Sequence, residues 1–252
     1  MKKVFASVLT LSVLLAAGCG AKTEETPAAS SGNPDVPKSE GTMTYEEFMA
    51  ADMYSEVVVE AFVQGKQSWW NNTATVYAQD KDGGYLFYGL QCSEEDYKKL
   101  TEGQLIRVKG EKTQWPEGTG VIEVADGTFE ILDGSWVAPA TDVTAYLGTD
   151  ELIKYMNQKV SFKGLTAESK GDGFPFFYNW DNSGTEGDDL YFDASLDGKT
   201  YTFTVESYLT DSTTPVYKAV EDLQVGDKID MEGFLYWYEG MNPHITSITV
   251  VK

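Results

Sequence analysis

The sequence predicts an all-β protein with short helices, arranged as two tandem five-stranded Greek-key barrels. Three observations lead there. Hydrophobic residues make up 42% of the 252 positions and fall in alternating segments separated by Gly, Asp, Asn and Pro, the pattern of strands with one buried face. Leu100-Thr101-Glu102-Gly103 leads into an alternating stretch that ends at Gly110, and Leu223-Gln224-Val225-Gly226 leads into one that ends at Gly233, so the chain carries an internal repeat. Around each copy the same order of elements recurs: three strands, a helix, then two strands.

In the first copy, residues 43–138, Thr44 opens a short helix from Tyr45 to Met53, with Glu46 and Glu47 in its first turn. The β-branched run Val57-Val58-Val59 is the first strand. Thr73 to Gln79 and Tyr85 to Leu90 follow as a hairpin around Asp80-Lys81-Asp82-Gly83-Gly84, and Ser93 caps a helix that runs through Leu100. Two further strands close the unit. In the second copy, residues 139–252, Glu151 to Met156 is the introductory helix and Lys159 to Leu165 the first strand. Phe174 to Trp180 and Leu190 to Ala194 take the places of the hairpin strands, with Gly184 to Asp189 inserted between them. Lys199 to Leu209 reads as one strand more than the scheme needs, and Thr214-Pro215 opens a helix at Val216 to Leu223. Ala138-Pro139-Ala140-Thr141 interrupts the alternation and marks the expected boundary.

This order is that of the OB-fold. With the L-x-x-G-to-Gly segments, it resembles bacterial OB-fold lipoproteins over residues 43–252 in outline. No catalytic motif comes with the resemblance. Another small β-barrel or sandwich, or one continuous all-β domain, also fits the alternation.

The N-terminus carries the lipoprotein part of the resemblance. Lys2 and Lys3 precede an apolar run from Val4 to Ala17, too short to span ~30 Å of hydrocarbon comfortably, so residues 1–18 read as a signal peptide. Leu14-Leu15-Ala16-Ala17-Gly18-Cys19 looks like the lipobox of bacterial lipoproteins, which implies a diacylglycerol on Cys19 and an extracytoplasmic protein anchored to the bacterial cell membrane. Residues 19–42 hold no large apolar group and read as a flexible tether. Cys92 is then the other cysteine of the chain, expected as a small buried hydrophobe.

Composition narrows the function. A formal charge of −21 and a lone arginine, Arg107, speak against nucleic acid as a partner, and one His with two Cys removes His-rich and Cys-rich metal centres. No cofactor is expected. Barrels of this kind bind across the second and third strands, between the loop joining strands one and two and the loop joining four and five. In the first copy these loops carry Gln67, Trp69, Trp70, Asn71 and Trp115, and the strands between them carry Tyr77 and Tyr88. Flat rings beside amides suit stacking with directed hydrogen bonds. The expectation is a platform on which Trp69, Trp70 and Trp115 meet, in a non-catalytic cell-surface module for a glycan or peptide. A structural role in an envelope complex is the alternative, with a hydrolase acting through scattered carboxylates behind it. Aromatic burial in the barrel ends would explain the same tryptophans. Asp181, Ser183, Asp188 and Asp189 are the one candidate calcium set. His244 has no acid or nucleophile near it in sequence and is expected to be hydrogen-bonded at a strand start.

Overall fold

The computed structural model describes residues 31–251, so the expected leader and the expected anchor at Cys19 lie outside the described residues. The chain is mostly β, 49% strand, and forms two closed five-stranded barrels with three short helices among the described residues. The first part of the chain runs β1 (Ser31–Gly32), α1 (Tyr45–Ala50), β2 (Glu56–Lys66), β3 (Thr73–Gln79), β4 (Gly84–Gln91), α2 (Glu94–Lys99), β5 (Gln104–Trp115) and β6 (Val121–Val137). α1 and α2 start where Thr44 and Ser93 cap them, each side chain accepting a backbone N–H of the first turn. β2 to β4 form a meander. β5 pairs antiparallel with both β2 and β6, and β6 lies parallel to β4, which closes the barrel. Alternation sends Val57, Val59, Val76, Phe87, Ile106 and Val108 into its core, with Phe48 of α1, Leu100 and the buried Cys92 beside them.

The second part runs β7 (Thr141–Asp142), β8 (Lys159–Glu168), β9 (Phe176–Tyr178), β10 (Leu190–Leu196), β11 (Lys199–Val205), α3 (Pro215–Glu221), β12 (Lys228–Phe234) and β13 (His244–Val251). β8 pairs with β10 and β12, and β11 lies parallel to β13, so the closure of the first barrel is repeated. The elements differ from expectation in two places. Leu152–Tyr155 forms a 3-10 turn in place of the introductory α-helix. The hairpin is β10 with β11, not Phe174 to Trp180 with Leu190 to Ala194. Asp197 and Gly198 both have positive φ, 51° and 78°, and make the two-residue turn that aligns Leu196 with Lys199. That turn outcompetes the longer Gly184 to Asp189 loop, which leaves β9 as a strand added to the edge of β10.

Residues 33–42, expected within the tether, lie along the first barrel. β1 pairs with Val137 and Trp136, and Val36 packs against Phe62, Leu105 and Trp136. Lys38 reaches Asp80 at 2.8 Å, while Ser39 N–H donates to the Glu60 carboxylate at 3.0 Å. One valine and a row of polar contacts hold this strap, so composition alone did not reveal it. No helix among the described residues is long and apolar enough to cross a membrane.

The barrels pack against each other through a small apolar cluster made of Tyr77, Leu86, Val121, Met156 and Phe234. Tyr77 lies flat on Phe234, ring centroids 4.4 Å apart and planes 4° apart. Polar contacts surround this stack. Asn157 Nδ2 donates to the Ile122 carbonyl at 2.8 Å, Lys159 N–H to Gln79 Oε1 at 2.9 Å, and Ser68 N–H to the Tyr208 carbonyl at 2.6 Å. Gly84 permits the approach, because a Cβ there would stand 2.5 Å from the Asn157 carbonyl carbon and the Gln158 nitrogen.

Two substitutions test this junction by urea denaturation. Phe234→Ala removes a buried ring and should cost about 3–5 kcal/mol, whereas Gly84→Ala forces backbone apart and should cost about 1–3 kcal/mol. Stability within about 0.5 kcal/mol of the parent for both would mean that the barrels are not held by this contact.

Candidate functional site

The outer face of β3 and β4 is only partly consumed by the junction. Beyond Tyr77 the barrels diverge, and a cleft of about 540 Å³ opens between them. Its first wall comes from the first barrel: Gln67, Thr75, Tyr77, Leu86, Tyr88, Trp115 and Glu123. The second barrel supplies Asp189, Tyr191, Thr204, Glu206, Tyr236 and His244. A volume of this size suits a small molecule, and the lining joins apolar rings with a few convergent polar groups.

Burial grades from floor to rim. Tyr77, Glu123, Thr204, Glu206 and His244 are buried, whereas Tyr88 and Trp115 stand 53% and 62% exposed at the mouth. His244 begins β13 at the floor. It shares a 3.0 Å hydrogen bond with the Tyr77 hydroxyl through Nδ1 and stacks on Tyr236 at 4.6 Å. Burial holds its pKa down at about 3, so the ring is neutral at ordinary pH. This satisfied histidine at a strand start is the one expected from the sequence.

The carboxylates set the electrostatics. Glu206 Oε2 accepts from Gln67 Nε2 at 3.1 Å, a contact across the two barrels, and Oε1 accepts from Tyr208 N–H at 3.2 Å. Burial, reinforced by the negative charge of Asp189, pushes the Glu206 pKa up to about 7. Glu123 Oε1 accepts from the Thr113 hydroxyl at 3.3 Å. Burial raises it also to about 7, against the lowering effect of that hydrogen bond. Burial and the nearby Glu123 push Tyr236 up to about 12. Among the described residues no Lys or Arg lines the cleft.

The expected platform is redistributed. Gln67, Tyr77, Tyr88 and Trp115 line the cleft, but Trp69, Trp70 and Asn71 do not. Trp69 is half-buried, with its indole N–H donating to the Cys92 carbonyl at 2.9 Å, and Trp70 stands 75% exposed on the loop. Asn71 serves the turn with φ of 50°. The indoles therefore do not form one groove. The half of the site given by Asp189, Tyr191, Glu206, Tyr236 and His244 was missed, since nothing in the sequence tells which outer faces of two barrels meet. The signal available was Glu123 and Tyr77 on strands of otherwise apolar alternation.

The calcium set is not gathered either. Asp181 Oδ1 accepts from Ser183 N–H, Asp188 Oδ2 from Thr185 N–H, and Asp189 Oδ1 from the N–H and hydroxyl of Ser207. Asp181 and Asp188 each close a local turn, and Asp189 is tied to Ser207 instead. Among the described residues no group of three or more His, Cys, Asp or Glu side chains is placed to hold a metal ion.

No family model matches the chain, and no curated protein matches it in sequence. Solved structures do show likeness. A murine DNA-binding protein bound with double-stranded DNA is 9% identical, with 77% of this chain and 95% of that chain covered and a TM-score of 0.35. An Ifi202 HINa domain in complex with 20-bp double-stranded DNA is 10% identical, covering 79% and 100%, at 0.33. A Replication Protein A heterotrimer bound to single-stranded DNA is 12% identical, covering 78% and 49%, at 0.33.

These neighbours correct the expected function and partners. The case against nucleic acid, and for a glycan or peptide, leaned on net charge; proteins that align with most of this chain hold DNA, so both expectations are withdrawn, and the envelope-assembly alternative with them. At such identities and TM-scores the likeness assigns no ligand to this chain. That has to come from the cleft.

The raised carboxyls make a test of the site's electrostatics. A carboxyl whose folded pKa exceeds its unfolded value of about 4.3 stabilises the fold fully below that value, and the contribution is lost as pH rises through the folded pKa near 7. Glu123→Gln and Glu206→Gln should each gain on the order of 3 kcal/mol relative to the parent between about pH 4 and pH 8 in urea denaturation. A difference that stays flat across this range would show that the carboxyls ionise as they do in water.

Proposed function

We propose that this chain is a small-molecule-binding protein whose ligand sits between the two barrels, and that acylation of Cys19 anchors it on the outer side of a bacterial cell membrane. One observation carries the first part. The cleft is concave, lined by rings from both barrels, and closed at its floor by buried polar groups that already have defined partners. Such a floor is preorganised, so a ligand meets fixed hydrogen-bonding groups without the cost of ordering them. Tyr88 and Trp115 leave apolar area at the mouth that a ligand would cover.

The Trp115 indole at the rim reports occupancy. Titrating the protein with a small-molecule library and, separately, with a single-stranded DNA oligonucleotide should quench Trp fluorescence with the former. Trp115→Ala and Tyr88→Ala should each weaken that binding about five- to a hundredfold, the effect of removing one stacked ring. An oligonucleotide that binds, with affinity unchanged in both variants, would replace this reading with a nucleic-acid surface elsewhere.

The anchor has its own test, motivated by the lipobox-like residues before Cys19. Cys19→Ala should move the protein from the membrane fraction to the soluble fraction. Unchanged fractionation would remove the lipoprotein reading and leave the cleft untouched.

A further inference from the structure

We propose that the ligand of this cleft is a small organic cation, an amine or quaternary ammonium whose positive centre is held by Glu123 and Glu206 while its apolar body lies against Tyr88, Trp115 and Tyr236. The proposal rests on the reading of the cleft as a ligand site and goes on to the chemistry of the occupant.

Elsewhere, Asp80 is 2.8 Å from Lys38 and Asp193 is 2.8 Å from Lys170, while buried Glu60, without an ion pair among the described residues, takes a neutral donor on each oxygen, the Ser39 N–H and the Thr42 hydroxyl. Glu123 and Glu206, 8% and 7% exposed, have no ion pair among the described residues. Glu206 takes its hydrogen bonds from neutral donors, Gln67 and the Tyr208 N–H, while Glu123 has the Thr113 hydroxyl alone at 3.3 Å. A buried carboxylate without a counter-ion is costly, and removing its partner is one of the larger destabilising changes known in proteins. Two such groups, one from each barrel, at one cleft leave a place for positive charge.

The surroundings choose the kind of cation. The ring faces at the mouth attract an ammonium by their quadrupoles, about 0.5–2 kcal/mol for each well-placed ring. A bare metal ion would need several oxygen ligands converging, and the carboxylates do not converge in a group of three or more. An ion with an organic body uses both walls.

Charge coupling follows. The groups that face Glu206 are Asp189, Gln67, Tyr77, Tyr191 and Tyr236, and those that face Glu123 are Asp126, Thr113, Tyr77 and Tyr236. None of them is a cation. Both carboxyls are partly protonated near neutral pH, because burial raises them, so an arriving cation favours the ionised forms and expels protons. Binding is therefore stronger at high pH than at low pH.

The test is isothermal titration of the full mature chain at about pH 5.5 and about pH 8, in two buffers of different ionisation enthalpy. Probes are choline and its uncharged carbon isostere, tyramine and the uncharged ethylphenol, and spermidine. At least one cation should bind, about tenfold or more tighter than its uncharged counterpart, with protons released and affinity rising about tenfold or more across that pH range. Glu206→Gln and Glu123→Gln, checked for fold by circular dichroism, should each lose about tenfold or more and flatten the pH dependence. Equal binding of charged and uncharged probes that still depends on Trp115 would overturn the cation and keep the cleft. Cation binding indifferent to both Gln substitutions, or no cation binding at millimolar concentration, would overturn the proposal. Any binding that is unchanged in Tyr88→Ala and Trp115→Ala would overturn the cleft reading beneath it.

Discussion

The Tyr77 side chain is the contact on which the rest of the molecule turns. On β3 it points away from its own barrel, where alternation would ordinarily leave a residue in solvent, and its ring is instead buried flat on Phe234 of the other barrel. The buried hydroxyl then needs a partner, and His244 supplies it at 3.0 Å. That pairing fixes where β13 begins, which in turn sets His244 and its stacked neighbour Tyr236 at the cleft floor. A tyrosine in a barrel's outer face thus defines both the angle between the barrels and the position of the site. The space-saving Gly84 and Gly65 reinforce it, since a Cβ at Gly65 would stand 2.8 Å from the Phe234 ring.

Two closed barrels carry little function by themselves. Function here depends on what the closure leaves outside. Each barrel satisfies its own backbone and fills its own interior with aliphatic and aromatic side chains, so the outward residues of β3, β4, β6 and β11 are free to build a second, shared interior. Near Tyr77 that interior is closely packed and apolar. Farther out it is lined by Glu123 and Glu206, whose ionisation is suppressed by the same seclusion that gives the junction its stability. The electrostatic character of the cleft is therefore a consequence of packing, not of the large negative charge of the whole chain, much of which sits on exposed turns and helix starts.

Most of the fold was legible in the sequence because it is written in local signals. Thr44 and Ser93 state where helices begin, Asp80 to Gly84 states a hairpin, and the Leu-x-x-Gly segments state the repeat. Where the reading slipped, two local signals competed: Asp197-Gly198 and the Gly184 to Asp189 loop could each join strands, and the shorter closure won. The site was legible by half. Gln67, Tyr77, Tyr88 and Trp115 follow from the geometry of one barrel, but Glu206, Asp189 and Tyr236 enter only when a second barrel is placed, and no periodicity encodes that placement. Trp69 and Trp70 misled because loop aromatics adjacent in sequence diverge in space, one toward the Cys92 carbonyl and the other into solvent.

The chemistry of the cleft depends on Glu123 and Glu206 being buried in it without a counter-ion among the described residues. Carbon-detected NMR of the side-chain carboxyls, followed through a pH titration of the ligand-free protein, measures this directly. Both resonances should titrate near pH 7, well above the usual range of a glutamate. Titration of both near the solvent-exposed value of about 4.3 would mean that these groups are hydrated, and that no secluded charge waits between the barrels.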